Sequence, residues 1–294
     1  PDIRQLRDLC RYYVKLTSFV SSEKNRAQNC LTVCNFKLDD VFADVFGKSA
    51  TRVLDALLEH GNGNFELDGL LSGKCKSSPE MVRAALDGEL NPMQTEKLFL
   101  IRRHMNDLSS LKESLETLIY SLAAKFKPQI DLLLTVPGIS TELTAIRILA
   151  EIGANMSVFE TAKQLTSWAG LTPQNQESAG KKKTTRISRA GAYLKPLLVQ
   201  IALSCGKSDK CPELKNKYLA LKKRRGGKKA VIAIARKLLA AIWHILSKNQ
   251  TYNADLYIRA DKPPVARELT TAQAVAFLRG KGFMIVDVET GEVA

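Results

Sequence analysis

The chain has 294 residues, of which 45% are hydrophobic and 25% charged, a composition that excludes a disordered protein and leaves room for two domains. Lys and Arg total 44 against 30 Asp and Glu, and this net charge of +14 favours a polyanionic partner. The amino terminus has no signal-peptide pattern, which predicts a cytoplasmic protein without a membrane partner. None of the six cysteines has the spacing of a zinc site, so they are predicted to be buried thiols.

The positive charge is concentrated in one segment. Residues 171–250 contain 19 Lys or Arg against three acidic residues, an excess of 16 that is larger than that of the whole chain. Nucleic acid is the commonest partner of such a segment. The remainder of the chain has no comparable excess.

The first part of the chain is predicted to be helical. Apolar residues recur every three or four positions from residue 2 to about residue 30, and residues 1–91 are interpreted as the helical remainder of an amino-terminal domain. Nothing interrupts a helix over residues 92–127, where leucines and other apolar residues keep near-heptad spacing typical of a coiled coil. This seam contains Leu98, Ile101, Met105, Leu108, Leu111, Leu115, Leu118 and Leu122. The partner of the helix is either another helix of the same chain or a second protomer.

A compact helical domain is predicted over residues 128–250, followed by a carboxy-terminal tail over residues 251–294. The run "LLLTVPGISTELTAIRILAEIG" has the pattern of a helix-hairpin-helix, in which backbone N–H groups near Gly138 and Ser140 would bind a phosphate oxygen. The alternative is a helical hairpin that only packs. Trp168 and Trp243 lie at helical spacing among apolar residues and are predicted to be core side chains.

A serine followed by cations is the strongest candidate for chemistry. Ser178 stands before Ala179 and Gly180, small residues that would let a DNA backbone approach closely. The five cations that follow within eleven residues would offset the negative charge of a reacting phosphodiester, and they are Lys181, Lys182, Lys183, Arg186 and Arg189. No histidine is near, and Glu177 is either a local base or a solvated side chain. Composition alone favours simple phosphate contact over catalysis.

Two further sets of cations are candidate contacts to DNA or RNA. Arg186, Arg189 and Lys195 precede or begin a predicted helix. The run "LKKRRGGKK" places six cations around a glycine pair, namely Lys222, Lys223, Arg224, Arg225, Lys228 and Lys229. Neither set has a pattern that reads bases, and the second would otherwise be a solvated connection between helices.

These motifs occur in one order that resembles a known family. The runs "LLTVPGIS", "TAKQLTSWAGLTPQ" and "SAGKKKTTRISRAGAYLKPLLVQIA" resemble the carboxy-terminal domain of transposases of the insertion-sequence 110 family, the bridge-RNA-guided recombinases. The resemblance is good over residues 132–205 and continues loosely to residue 249. It implies that Ser178 attacks a DNA strand and forms a phosphoserine link.

The resemblance also implies partners and a cofactor. The family's proteins carry an amino-terminal RNase-H-like domain whose four acidic residues bind Mg²⁺, they pair with a guide RNA that selects the DNA sequence, and they act as oligomers. Because the chain opens on a helix, we expect the magnesium-binding acids to precede Pro1 and assign none to this chain. We therefore expect a dimer or tetramer that forms through the coiled coil and is associated with the nucleoid.

The sequence therefore predicts a mainly α protein with a long coiled-coil helix and a compact helical domain containing a helix-hairpin-helix-like unit. The functional hypothesis is a DNA transposase with a serine nucleophile, guided by a bound non-coding RNA. A helix-hairpin-helix protein that binds nucleic acid without chemistry is the alternative, and a coiled-coil protein with an acidic partner is a third.

Overall fold

The computed structural model describes residues 2–61, 65–73, 75–174, 176–178, 181–184, 186–255, 270–286 and 291, with only the backbone described for residues 176–178, 181–184 and 271. The chain divides into two compact units, Pro1–Tyr252 and Asn253–Ala294. In the second unit, the described structure is dominated by helix α12 (Thr271–Gly280), which begins with a capping box formed by Thr270 and Gln273.

The first unit is built almost entirely of helices, which confirms the predicted mainly α fold. Its helices are α1 (Asp2–Val33), α2 (Leu38–Val41), α3 (Lys48–His60), α4 (Pro79–Ala85), α5 (Pro92–Ala123), α6 (Lys127–Leu134), α7 (Glu142–Ile152), α8 (Ala162–Trp168), α9 (Leu194–Lys207), α10 (Pro212–Arg225) and α11 (Gly227–Lys248). Two short antiparallel strands, β1 (Gln176–Ser178) and β2 (Lys181–Thr184), lie between α8 and α9.

Helices α1 and α5 form a long antiparallel hairpin within the chain. Lys125, just beyond the end of α5, pairs with Asp2 at the start of α1, at 2.5 Å, and His104 Nδ1 lies 3.1 Å from Glu23 Oε1 near the middle. The hairpin supplies the partner in cis that the heptad spacing of α5 requires. Helices α2 to α4 pack at its far end around a small separate core that includes Phe36, Leu54 and Leu98.

Part of the predicted seam lies outside this packing. Leu98, Ile101, Leu108 and Leu115 are buried as expected, whereas Leu111 and Leu118 are exposed. The two exposed leucines follow His104 at heptad steps, on the flank of α5 at the edge of its contact with α1. The contact with α1 therefore includes the buried part of the predicted seam but not Leu111 and Leu118.

The main core lies in the compact helical domain that follows the hairpin. Helix α11 runs through it and contributes Ala230, Ile234, Leu238 and Ile242, which are all buried. By length and composition, this 22-residue helix is a candidate membrane span among the described residues. Because it packs against α6, α8, α9 and α10, the core of the domain accounts for its apolar face.

Two arginines join the hairpin to the domain. Arg11 of α1 donates two hydrogen bonds to the carboxylate of Glu151, at 2.8 and 2.9 Å, and its guanidinium lies 4.7 Å from the centre of the Tyr193 ring. Hydrogen bonding to Glu151 raises the pKa of Arg11 above its ordinary value. Arg7 donates to the carbonyl oxygens of Ala150 and Glu151 at the end of α7, where helix carbonyls lack partners.

Candidate active site

Strands β1 and β2 form a narrow two-stranded ribbon that contains Ser178. The ribbon begins with an antiparallel bridge between Pro173 and Ile187, and the Gln174 N–H then donates to the Arg186 carbonyl at 3.2 Å. Farther along, Ser178 pairs with Lys181. Ser178 is therefore the last residue of β1, at the end of the ribbon away from the Pro173–Ile187 bridge.

The ribbon register brings the serine backbone and the lysine run together. Glu177 pairs with Lys182, so the strand that follows Ser178 runs back beside it with three successive lysines. The side chains of Ser178, Lys181, Lys182 and Lys183 are outside the described residues, as are Ala179 and Gly180 entirely. The role of Ser178 and of this lysine run remains a prediction.

The segments on either side of the ribbon pack backbone against backbone through two glycines. Gly191 has a φ of +72°, and a Cβ on it would lie 2.3 Å from the Ala169 carbonyl oxygen. A Cβ on Gly170, which has a φ of +67°, would lie 2.7 Å from the Ala190 carbonyl oxygen. Because only glycine fits at either position, this glycine contact fixes the base of the ribbon.

Lys195 reinforces the same base. Its Nζ donates to the Ser188 carbonyl at 2.5 Å and would be 2.9 Å from a Cβ on Gly170. Desolvation lowers the pKa of Lys195 below its ordinary value. Lys195, predicted to contact phosphate, thus holds the chain that follows the ribbon. The other two predicted contacts near it, Arg186 and Arg189, are exposed.

The predicted helix-hairpin-helix unit consists of α6, a turn and α7. Gly138 adopts a φ of +82° in this turn, and a Cβ there would lie 2.7 Å from Cys205 Sγ of α9. The Ile139 N–H donates to the Val136 carbonyl at 3.1 Å, and the Cys205 thiol to the Pro137 carbonyl at 3.3 Å. Helix α9 therefore covers one side of the turn. Ser140 is exposed, and phosphate binding by this turn remains a prediction.

The thiols of this domain are unsuited to nucleophilic attack. Burial raises the pKa of Cys205 to about 12, and it also raises the pKa of the neighbouring Cys211. Burial likewise raises the pKa of Cys10, which lies where α1 meets the domain, to about 12. Since the thiolate is the reactive form, these cysteines stay protonated and inert at neutral pH.

A second group of cations surrounds the connection between α10 and α11. These side chains are all exposed: Lys222, Lys223, Arg224, Arg225, Lys228 and Lys229. The first four end α10, where they complement the helix dipole, but Lys228 and Lys229 lie in the first turn of α11, where cations are unfavourable. Cations that oppose the dipole concentrate positive potential at one place, as an anion-binding surface requires.

The described residues contain no group of three or more His, Cys, Asp or Glu side chains that would hold a metal ion. Within the described part of the chain, no cluster of acidic side chains forms a magnesium site of the kind that the family resemblance implies.

Comparison with known proteins identifies this domain. Residues 130–219, which extend from α6 to α10 and include the ribbon, match the family model for transposases of the IS116/IS110/IS902 family. The resemblance proposed from the sequence is thus confirmed over this domain, which is similar to transposases of the IS116/IS110/IS902 family.

Two individual relatives are transposases by name. The chain is 33% identical over 125 residues to the transposase for insertion sequence element IS1111A of Coxiella burnetii, covering 40% of this chain and 33% of that protein. It is 24% identical over 186 residues to the putative transposase y4pF/y4sB of Sinorhizobium fredii, covering 61% of this chain and 47% of that protein. The matched chain thus spans between a third and a half of the length of these curated relatives.

The structure adds functional candidates that sequence patterns missed. No sequence pattern assigned a role to Arg7 and Arg11, yet they dock α1 onto α7. Trp168 was predicted to be a core residue, but its side chain is 47% exposed, so that prediction is wrong. Trp243 is partly buried, and its indole Nε1 donates to the Phe159 carbonyl at 3.0 Å.

Proposed function

We propose that this chain is part of a DNA transposase that cuts and rejoins DNA through a covalent link to Ser178. The observation that carries the proposal is the place of Ser178 at the end of the ribbon, opposite Lys181, inside the matched transposase domain. A serine presented on a narrow ribbon beside cations suits a large, polyanionic substrate better than a small one in a pocket.

The proposed reaction is a transesterification. The Ser178 oxygen attacks the phosphorus of a phosphodiester, an O–P bond forms, and one phosphorus–sugar oxygen bond breaks. The serine proton is transferred in balance to the leaving sugar oxygen, and the reverse reaction rejoins the strand. The lysines of β2 would stabilise the charge on the phosphoryl oxygens, which is the term that usually contributes most to such catalysis.

We propose further that the cations at the α10–α11 connection bind the phosphate backbone. They are exposed, they surround the amino-terminal end of a 22-residue helix, and the positive end of its dipole adds to their potential. Such contacts position nucleic acid without reading its sequence. A guide RNA that pairs with DNA would supply the sequence choice, as the family resemblance implies.

Changing Lys222 and Lys223 together to glutamine is expected to weaken DNA binding and reduce its salt dependence. Each duplex phosphate contact contributes about 0.9 to the slope of log K against log salt concentration, so the slope should fall by about 1 to 2. Fluorescence anisotropy with a labelled duplex over a range of salt concentrations measures this. The matched control changes the exposed Lys97 and Arg103 of α5, and an equal loss in the control would contradict the assignment.

The proposal also includes magnesium and a guide RNA, for which the described residues form no assigned site. We propose that an RNase-H-like domain preceding Pro1 supplies the magnesium-binding acids, and that the assembled protein acts on nucleoid DNA in the cytoplasm. Should Ser178 have no role, a nucleic-acid-binding protein without chemistry is the remaining function.

We also propose that the protein forms homo-oligomers through the α1–α5 hairpin. Among the apolar side chains on it that are at least half exposed are Tyr12, Phe19, Leu111 and Leu118. Helical spacing places these side chains on one flank. Leu111 and Leu118 follow His104 at heptad steps, and His104 contacts Glu23 of α1. Phe19 lies one helical turn before Glu23 and therefore beside the same flank. Arg7 and Arg11 bind α7 from a different face of α1.

Changing Leu111 and Leu118 to glutamate is expected to shift the oligomer toward monomer, because charges placed in an apolar interface lose hydration. Sedimentation velocity measures the change. Glutamate at the exposed positions Ser110 and Thr117 is the matched control and should leave the oligomer intact. A monomeric wild-type protein, or an unchanged oligomer in the leucine variant, would contradict this interface.

A further inference from the structure

Trp168, the last residue of α8, forms an exposed apolar surface with two neighbours. Its side chain is 47% exposed, and its ring centre lies 5.5 Å from that of Phe159 with an angle of 56° between the planes. Val158, which precedes Phe159 in the chain, is 73% exposed. The hydrogen bond from Trp243 Nε1 to the Phe159 carbonyl anchors the backbone behind this surface, at 3.0 Å. We call Val158, Phe159 and Trp168 the aromatic patch.

The aromatic patch adjoins the base of the serine ribbon. Ala169 and Gly170 follow Trp168 directly, and they are the residues that meet Gly191 and Ala190 in the close glycine contact. Pro173, five positions after Trp168, begins the ribbon, and the exposed Arg189 directly precedes Ala190. A nucleic acid strand on the ribbon would therefore pass beside the exposed indole.

An indole in this position has a chemistry that the cations lack. Tryptophan offers the largest aromatic face for a nucleobase, and stacking on it tolerates any base. A base paired within a duplex cannot stack in this way because its faces are covered by its neighbours. The surrounding positive segment would hold the backbone while the indole holds a base.

We propose that Trp168 is a stacking platform for an unpaired base of single-stranded DNA next to the strand that reaches Ser178. The inference rests on the proposed function, because a strand that is cut and exchanged must leave its duplex near the reacting serine. The commitment to DNA follows from the location of the aromatic patch at the base of the ribbon. Phe159 contacts the indole with a tilted ring, at 5.5 Å between the ring centres.

The test compares wild-type protein with Trp168→Ala and Trp168→Phe in binding to four probes of equal length. The probes are a mixed-sequence single-stranded DNA, the same strand with abasic sites throughout, its duplex, and the RNA of the same sequence. Because the chain has two tryptophans, the difference between wild type and Trp168→Phe isolates the fluorescence of Trp168. Urea unfolding of each variant checks that the fold is retained.

Single-stranded DNA should quench Trp168, and the abasic strand should not. Trp168→Ala should weaken binding of single-stranded DNA by roughly tenfold to a hundredfold, Trp168→Phe should restore most of the affinity, and binding to the abasic strand and the duplex should be unchanged. Equal affinity of wild type and Trp168→Ala for single-stranded DNA would overturn the inference. Quenching by RNA alone would also overturn it.

The outcomes separate this inference from the proposed function. If wild-type protein binds none of the probes at low salt, the proposed function fails together with the inference. If wild type forms DNA linked to Ser178 and Trp168→Ala binds single-stranded DNA equally well, only the stacking role fails.

Discussion

Replacing Ser178 with alanine is expected to abolish the protein–DNA covalent product, reducing it by at least roughly a hundredfold. Alanine removes the only atom that forms the O–P bond and leaves the strand pairing of β1 and β2 intact, because that pairing is made by backbone groups. DNA binding should therefore persist. The assay combines the full-length product of the gene with guide RNA, Mg²⁺ and end-labelled DNA, followed by a denaturing gel.

The matched control for this variant is Ser204→Ala, because Ser204 is an exposed serine in the same domain on helix α9. It should form as much covalent product as wild type. Undiminished product in Ser178→Ala would show that another residue is the nucleophile. Loss of binding in Ser178→Ala would indicate a structural effect, and the anisotropy of a labelled duplex separates the two.

Replacing Gly191 with alanine is expected to destabilise the first unit by about 3 to 4 kcal/mol. The φ of +72° disfavours any L side chain, and the new Cβ would lie 2.3 Å from the Ala169 carbonyl oxygen, which is backbone and cannot rotate away. To relieve this contact, the segment before the ribbon would have to move away from the segment after it. Urea unfolding followed by circular dichroism measures the free energy of unfolding.

Gly69→Ala provides the matched control for Gly191→Ala. Gly69 has a similar φ of +76°, but nothing lies within 4 Å of the added Cβ. The control should lose only about 1 kcal/mol from backbone strain, so the difference between the variants isolates the close contact. Equal losses in the two variants would contradict the packing described for the base of the ribbon.

Periodic elements of this fold could be predicted well from the sequence. The long helices α1 and α5 were predicted within a few residues of their observed bounds, because apolar spacing fixes which face is buried. Helix α9 begins at Leu194, after Gly191 at positive φ, so Arg186 and Arg189 precede it and Lys195 lies in its first turn. Local spacing does not reveal that this glycine meets Ala169 from another segment.

Long-range contacts account for the other differences. Heptad spacing alone does not show which leucines of α5 face α1, so Leu111 and Leu118 were assigned to the seam although they are exposed. The apolar setting of Trp168 predicted burial, but α8 ends there and leaves the indole at the surface. Ser178 was identified by motif order, and its pairing with Lys181 required the strand register.

The most direct test of the serine nucleophile is to locate the DNA adduct on the protein. The covalent complex is digested with nuclease and trypsin, and mass spectrometry then examines the peptide "QLTSWAGLTPQNQESAGK", residues 164–181. We expect this peptide to carry a nucleotide remnant on Ser178. An adduct on Ser167 or on another peptide, or no adduct where strands are cut and rejoined, would contradict the account.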